Sequence, residues 1–149
     1  QGANGIVALL GGRLEGGNAI YCGRFTNAAV VSPGLPVGRL TLDVGNHPSL
    51  SVYHQADSGR LHLDIAGPEP DTGHDVLTIT GRAVLGGTLE LAVDPSYDPP
   101  PGQTFTVLHA GRGLEGSFAG ILGHLLPNGK RLDIEYAANS VLLRVVASP

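Results

Sequence analysis

Apolar and polar side chains alternate in short bursts along the 149-residue chain. Leu40-Thr41-Leu42-Asp43-Val44, Leu61-His62-Leu63-Asp64-Ile65, Leu89-Glu90-Leu91-Ala92-Val93 and Leu132-Asp133-Ile134-Glu135-Tyr136 put an apolar residue at every second position. That period is the signature of a strand with one buried and one wet face. Similar runs predict strands at Ile20–Phe25, Leu50–His54, Val76–Thr80, Thr104–Leu108 and Val141–Val146. Between them lie Ser32-Pro33-Gly34-Leu35-Pro36, Gly67-Pro68-Glu69-Pro70-Asp71 and Asp98-Pro99-Pro100-Pro101-Gly102, which supply turn chemistry and forbid helix. No window sustains the apolar spacing of an amphipathic helix, so the chain is predicted all-β, a single domain over residues 1–149.

An all-β chain of this kind is a solenoid or a β-sandwich, and short strands at regular spacing suit both. Two features favour the solenoid. Paired glycines (Gly11-Gly12, Gly16-Gly17, Gly86-Gly87) flank the runs, as tight corners between stacked strands require. A turn–strand–Gly–strand unit also recurs, in Leu77-Thr78-Ile79-Thr80-Gly81 followed by Leu85-Gly86-Gly87-Thr88-Leu89-Glu90-Leu91. The inward set predicted for the stacked coils is Leu61, Leu63, Ile65, Leu77, Ile79, Leu89 and Leu91. Residues to about 75 then form N-terminal coils, and residues from about 76 form C-terminal coils and a cap, with Phe105, Phe118 and Tyr136 as its larger side chains.

Charge narrows the partners. The net charge is −4, and the nine basic residues are scattered, so no basic stripe exists for nucleic acid or an anionic membrane. No apolar run reaches the roughly 18 residues of a membrane span. The chain starts Gln1-Gly2-Ala3 and holds no Met, which fits a processed chain or a stretch of a longer one. Cys22 is the one cysteine, so no internal disulfide forms. Its place in Tyr21-Cys22-Gly23-Arg24-Phe25 predicts a small buried residue.

Residues 19–38 (Ala-Ile-Tyr-Cys-Gly-Arg-Phe-Thr-Asn-Ala-Ala-Val-Val-Ser-Pro-Gly-Leu-Pro-Val-Gly) resemble a phrase common in bacterial surface proteins. There a strand, a Thr-Asn step and Ser-Pro-Gly precede a Gly-x-Leu-Thr strand, here Gly38-Arg39-Leu40-Thr41. Gly59-Arg60-Leu61-His62-Leu63-Asp64-Ile65, Asp75-Val76-Leu77-Thr78-Ile79-Thr80-Gly81, Ala83-Val84-Leu85-Gly86-Gly87-Thr88-Leu89, Tyr97-Asp98-Pro99, Gly102-Gln103-Thr104-Phe105-Thr106-Val107-Leu108 and Gly116-Ser117-Phe118 continue the order. From about Gly11 to Val146 the set is similar to the tail of autotransporter passenger domains and related anchored, repeat-rich exported proteins. The chain departs from that pattern at His74, where the family often has an aromatic beside the Asp, and it carries no translocator barrel or anchor tail up to Pro149. The resemblance implies a right-handed parallel β-helix at the cell surface, without a catalytic site of its own.

Several motifs bear on chemistry. Asp71-Thr72-Gly73 spells the aspartic-protease triplet, but a rigid Pro-rich loop precedes it where that chemistry needs a desolvated strand end. Asp71, His74 and Asp75, or Asp94 and Asp98, are acidic loops of a kind that gathers calcium, yet neither has the dense ligand spacing of a calcium loop. His47, His54, His62, His74, His109 and His124 never fall at a metal-ligand spacing, and most are expected on wet faces or in loops. No nucleophile elbow surrounds Ser117. Asp43, Asp64, Glu90, Asp133 and Glu135 occupy outward positions of different strands, where a glycan-active face or a plain solvated face would both place them.

The sequence therefore predicts no catalytic residues, no cofactor, no metal and no enzyme. It predicts an extracellular structural protein of the cell surface or matrix, a homo-oligomer or filament joined through its chain ends. The alternatives are an adhesin or passenger fragment that binds surface glycans and, more distantly, a glycan hydrolase or lyase. The candidate self-association residues are Ile6, Val7, Leu9 and Leu10, in an apolar run free of charge, Pro and bulge signals before Arg13. The same run equally fits the first coil of its own subunit.

Overall fold

The computed structural model describes residues 6–17, 19–34, 37–45, 51–70 and 72–147. Gly5, Leu35, Pro36, His47, Leu50, Asp71 and Pro149, all named above, lie outside them. The chain winds through coils of three short strands each. The first holds β1 (Ile6–Leu9), β2 (Arg13–Gly16) and β3 (Ala19–Tyr21), and the second β4 (Arg24–Asn27), β5 (Val30–Pro33) and β6 (Arg39–Asp43). The third is β7 (Val52–Gln55), β8 (Arg60–Ile65) and β9 (Val76–Ile79), and the fourth β10 (Arg82–Leu85), β11 (Thr88–Val93) and β12 (Thr104–Ala110). After β13 (Leu114–Gly116), β14 (Gly120–Leu122) and a 3-10 turn at Pro127–Gly129, β15 (Lys130–Tyr136) and β16 (Ser140–Ala147) form a hairpin.

Equivalent strands of successive coils pair in parallel and build three sheets: β1-β4-β7-β10-β13, β2-β5-β8-β11-β14, and β3-β6-β9-β12 continued by β16 and β15. This is a parallel β-helix, and it excludes the sandwich. Its inside is a set of vertical ladders. Leu14, Val31, Leu61, Leu89 and Ile121 stack in the second sheet, and Leu40, Leu77 and Leu108 in the third. All seven residues predicted to point inward are buried. Each large aliphatic side chain removed from water contributes roughly 1.5–3 kcal/mol, so the stacked coils carry most of the stability.

The first sheet also buries polar groups. Asn27 and Gln55 are register partners at the corner where the first sheet turns into the second. Asn27 Nδ2 donates to the Arg60 carbonyl one coil on, at 3.0 Å, and Gln55 Nε2 donates to the Gly86 and Thr88 carbonyls at 2.8 and 3.2 Å. Tyr53 Oη joins them, accepting from Asn27 Nδ2 at 3.2 Å and donating to Gln55 Oε1 at 2.7 Å. Burial pushes the Tyr53 hydroxyl well above its ordinary pKa, so it stays a donor. The corner is tight: Gly87 has φ 64°, and a Cβ there would collide with the Gly59 carbonyl oxygen.

One expectation needs correction. Ile20–Phe25 is not one strand but the end of β3 and the start of β4, with a corner at Cys22-Gly23 held by Cys22 N–H donating to the Asp43 carbonyl at 3.0 Å. Ile20 and Phe25 both pack on the core although they stand five positions apart. A continuous strand would send them to opposite faces. Cys22 itself is buried, as expected. His74 lies in the loop between β8 and β9 and is buried there, its ring edge-on to Phe105 at 5.3 Å and its Nδ1 donating to the Asp75 carbonyl at 3.1 Å.

The C-terminal cap is the hairpin. β16 runs antiparallel to β12 and sends Val141, Leu143 and Val145 into the core, while Phe118 meets Tyr136 at 6.5 Å and its N–H donates to the Tyr136 hydroxyl. Replacing Leu89 by Asp inserts a charge between Leu61 and Ile121 on the ladder. The expected cost is roughly 4–5 kcal/mol or more, read as loss of the cooperative transition in circular dichroism. A soluble Leu89→Asp variant that melts like the parent contradicts this core.

Candidate functional site

Among the described residues, two places bear on function. The first is the starting coil. Among the described residues β1, β2 and β3 are each paired on one side only. The inward Val7 is 37% exposed, whereas Phe25, its register partner one coil below, is 1% exposed. Leu9, Leu14 and Ile20 are likewise only partly covered, and Ile6, Leu10 and Tyr21 are 66%, 78% and 66% exposed. Ile6, Val7 and Leu9 therefore form β1 and pack on the second coil, and among the described residues no strand lies on their other side.

The second place is the outer face of the second sheet. The alternation in β8 puts His62 and Asp64 on the wet side, and the register of β8 with β11 sets Glu90 beside His62. The imidazole is held between two carboxylates: Nε2 is 3.2 Å from Asp64 Oδ1 and Nδ1 is 3.2 Å from Glu90 Oε1, with the Arg60 guanidinium 3.8 Å from Glu90. Of the five outward acidic residues singled out in the sequence, only Asp64 and Glu90 share this face. Asp43 lies on the third sheet, and Asp133 and Glu135 sit on the hairpin, in ion pairs with Arg131 and Arg144. A groove of about 340 Å³ runs beside Asp64, floored by Val37, Ile65, Ala66, Ala92 and Val93 and edged by Asp94. Asp94 is already engaged: its Oδ1 accepts from the Ser96 N–H and hydroxyl at 2.9 and 2.8 Å, which holds its carboxyl below the usual range.

Behind Asp64 lies a carboxyl that the sequence reading had put in an acidic loop. Asp75 is fully buried, its Oδ1 accepting from the Gly38 N–H at 2.9 Å and its Oδ2 from the Asp64 N–H at 2.8 Å. It thus ties the second coil to the third where the chain enters β9. Desolvation pushes its pKa up to about 7; the two N–H groups oppose the shift, the neighbouring Asp64 charge adds to it, and His62 lowers it. The calcium grouping of Asp71, His74 and Asp75 is not realised by the described pair, since both turn inward, and Asp71 lies outside the described residues. No group of three potential metal ligands occurs among the described residues.

The His62 ring thus hydrogen-bonds Asp64 of its own strand through Nε2 and lies beside Glu90 of the next coil, its Nδ1 near Glu90 Oε1 without a hydrogen bond. A glycosidase needs its two carboxyl groups on either side of a sugar linkage, but here the imidazole fills the space between Asp64 and Glu90. The pairing of His62 with Asp64 was legible from alternation. The approach of Glu90 depends on the register between coils, and the burial of Asp75 on the loop that precedes it, neither of which a local pattern encodes. No protein-family model matches the chain, and no curated protein sequence is similar to it.

The Asp75 carboxyl sets a pH dependence. Its folded pKa of about 7 lies above that of an exposed aspartate, about 4, so between about pH 4 and pH 7 the folded state binds more protons than the unfolded one. Stability then falls as pH rises through that window. Asp75→Asn removes this slope and points an amide N–H₂ at one of the two backbone donors, at an expected cost of about 1–3 kcal/mol at low pH. Urea unfolding of both proteins at pH 4.5 and 7.5 reads the result. An unchanged pH slope in the variant assigns the effect elsewhere.

Proposed function

We propose that the protein is a rigid, non-catalytic structural module of an exported protein, standing at the cell surface or in the extracellular matrix. The observation that carries this reading is the disposition of the polar side chains in the interior. Asn27, Ser51, Gln55 and Asp75 all hydrogen-bond to the chain's own backbone, and Tyr53 is bonded to two of them. On the surface, His62, Asp64, Glu90, Arg131, Asp133, Glu135 and Arg144 pair among themselves. The interior groups are engaged by the chain's own backbone and the surface groups by one another. The resemblance of the strand-and-turn order to exported surface proteins supports the location.

One feature favours a second reading, an adhesin that binds surface glycans: the groove beside Asp64, whose apolar floor and carboxylate edges suit the faces and hydroxyls of a sugar. Immunogold labelling of producing cells with antibody to the purified chain tests the main reading; label on the surface or in the matrix is expected, and cytosolic label overturns it. The purified chain is expected to turn over no peptide or glycan substrate. Hydrolysis that disappears in Glu90→Gln replaces the structural reading with a catalytic one, and glycan-array binding abolished by Asp64→Asn replaces it with the adhesin.

A further inference from the structure

The groove beside Asp64 lies on the flank of the helix, away from both ends of the stack, and its lining selects a particular cation. The floor is aliphatic, made by Val37, Ile65, Ala92 and Val93, and among the described residues no aromatic ring lines it. Its two acidic residues are placed by register. Asp64 is the partner of Ala92 in the ladder between β8 and β11, and the Asp94 N–H donates to the Ile65 carbonyl at 2.8 Å, so the pairing runs on past the end of β11. Asp64 and Asp94 are therefore diagonal neighbours across the small Ala92, with Cα atoms about 7–8 Å apart. Each carboxylate has one oxygen engaged. Asp64 Oδ1 meets His62 Nε2, and Asp94 Oδ1 takes the Ser96 N–H and hydroxyl, while neither Oδ2 accepts a hydrogen bond among the described residues.

Two single oxygens over an aliphatic floor discriminate between ligands. A guanidinium binds best as a planar fork on both oxygens of one carboxylate, and it favours an aromatic face. Here each carboxylate offers one free oxygen and the floor has no ring. A calcium ion needs six or more oxygen ligands, far beyond these two. A neutral sugar leaves both free carboxylate oxygens without a cation. An ammonium is a point charge that donates to separate oxygens, and the methylene stem of a lysine covers aliphatic surface beneath it. The molecule already holds one lysine in this manner. The Lys130 side chain is 10% exposed, and its Nζ donates to Asp98 Oδ1 at 2.5 Å and to the Pro99 carbonyl at 2.6 Å. Lys130 is the one lysine of the sequence. It is committed to that contact, so a second copy of the chain has no free ammonium to offer the groove.

We propose that this groove docks a lysine side chain of a different protein, its stem on Val37, Ile65 and Val93 and its ammonium between the free oxygens of Asp64 and Asp94. The groove holds this ligand wherever the protein resides, so the labelling experiment and this one fail independently. The test is a titration of the ¹⁵N-labelled chain, at low salt, with the peptide acetyl-Gly-Gly-Lys-Gly-Gly-amide, followed by amide chemical shifts. Shifts are expected at residues 37, 64–66 and 92–95 and nowhere else. The same peptide with norleucine, which keeps the stem and drops the charge, is expected to give none, and the arginine peptide should bind more weakly. Asp94→Asn keeps the cap on Ser96 and removes the charge, and it should weaken the lysine peptide about three-fold or more. Asp64→Asn should do the same, whereas Glu115→Gln on β13 should change nothing. Asp94 is exposed, so its variant carries the test even where Asp64→Asn disturbs the fold. Absent shifts, shifts spread over the acidic surface, an arginine or norleucine peptide that binds as tightly, or an Asp94→Asn chain that binds like the parent overturns the proposal. A neutral oligosaccharide that moves the same amides when the lysine peptide does not overturns it in favour of the adhesin.

Discussion

A single coil of a parallel β-helix has no core of its own. Three strands of three to seven residues cannot bury their inward side chains on one another, and every backbone group that leaves water must find a partner in the coil above or below. Everything else in this molecule follows from that dependence. Leu61 is covered because Val31 and Leu89 flank it, and Phe25 because Val7 and Tyr53 do. Stability is then roughly a sum of contacts between neighbouring coils, and it is weakest where a neighbour is missing. The closing hairpin is one solution to that problem, since β16 lies along β12 and sends Val141, Leu143 and Val145 into the core.

The parts of this architecture legible in the sequence are those written in alternation. Leu61-His62-Leu63-Asp64-Ile65 and Leu89-Glu90-Leu91 state which side chains go in and which go out, and the paired glycines mark corners between β1 and β2, between β2 and β3, and between β10 and β11. Strands of three or four residues carry too little period to stand out. β2, β5, β10, β13 and β14 were not singled out as strands for that reason, and β3 and β4 merged into one run across the corner at Cys22. The repeat looked degenerate because the corners are unequal. β1 and β4 are joined through short turns, whereas residues 66–75 and 94–103 lengthen the third and fourth coils. Register between coils is a tertiary quantity, and so the meeting of Glu90 with His62 and the capture of Asp75 by Gly38 and Asp64 had no local signature.

The charged groups play different parts according to depth. Arg82 with Glu115, Arg131 with Asp133, and Arg144 with Glu135 are exposed pairs in water, and such contacts contribute little to stability. Asp75 is different because it replaces water for two backbone donors at a corner where no strand can reach them. Its burial is tolerable through those two hydrogen bonds and through a pKa that lets it carry a proton in mildly acidic conditions.

The buried amides at the corner between the first and second sheets have a further consequence. The aliphatic ladders are poor at distinguishing alignments, since shifting β11 by two residues along β8 still sets leucine on leucine or isoleucine. Asn27 and Gln55 are not so permissive. A slip of that size carries the Arg60, Gly86 and Thr88 carbonyls away from them and strands an amide inside the core, at the full cost of desolvation. The leucines supply attraction without memory of position, and the two amides supply the memory. They act as a proofreading key between coils, cut into the second and the third, and absent from the first and the fourth, where Leu9 and Leu85 end β1 and β10.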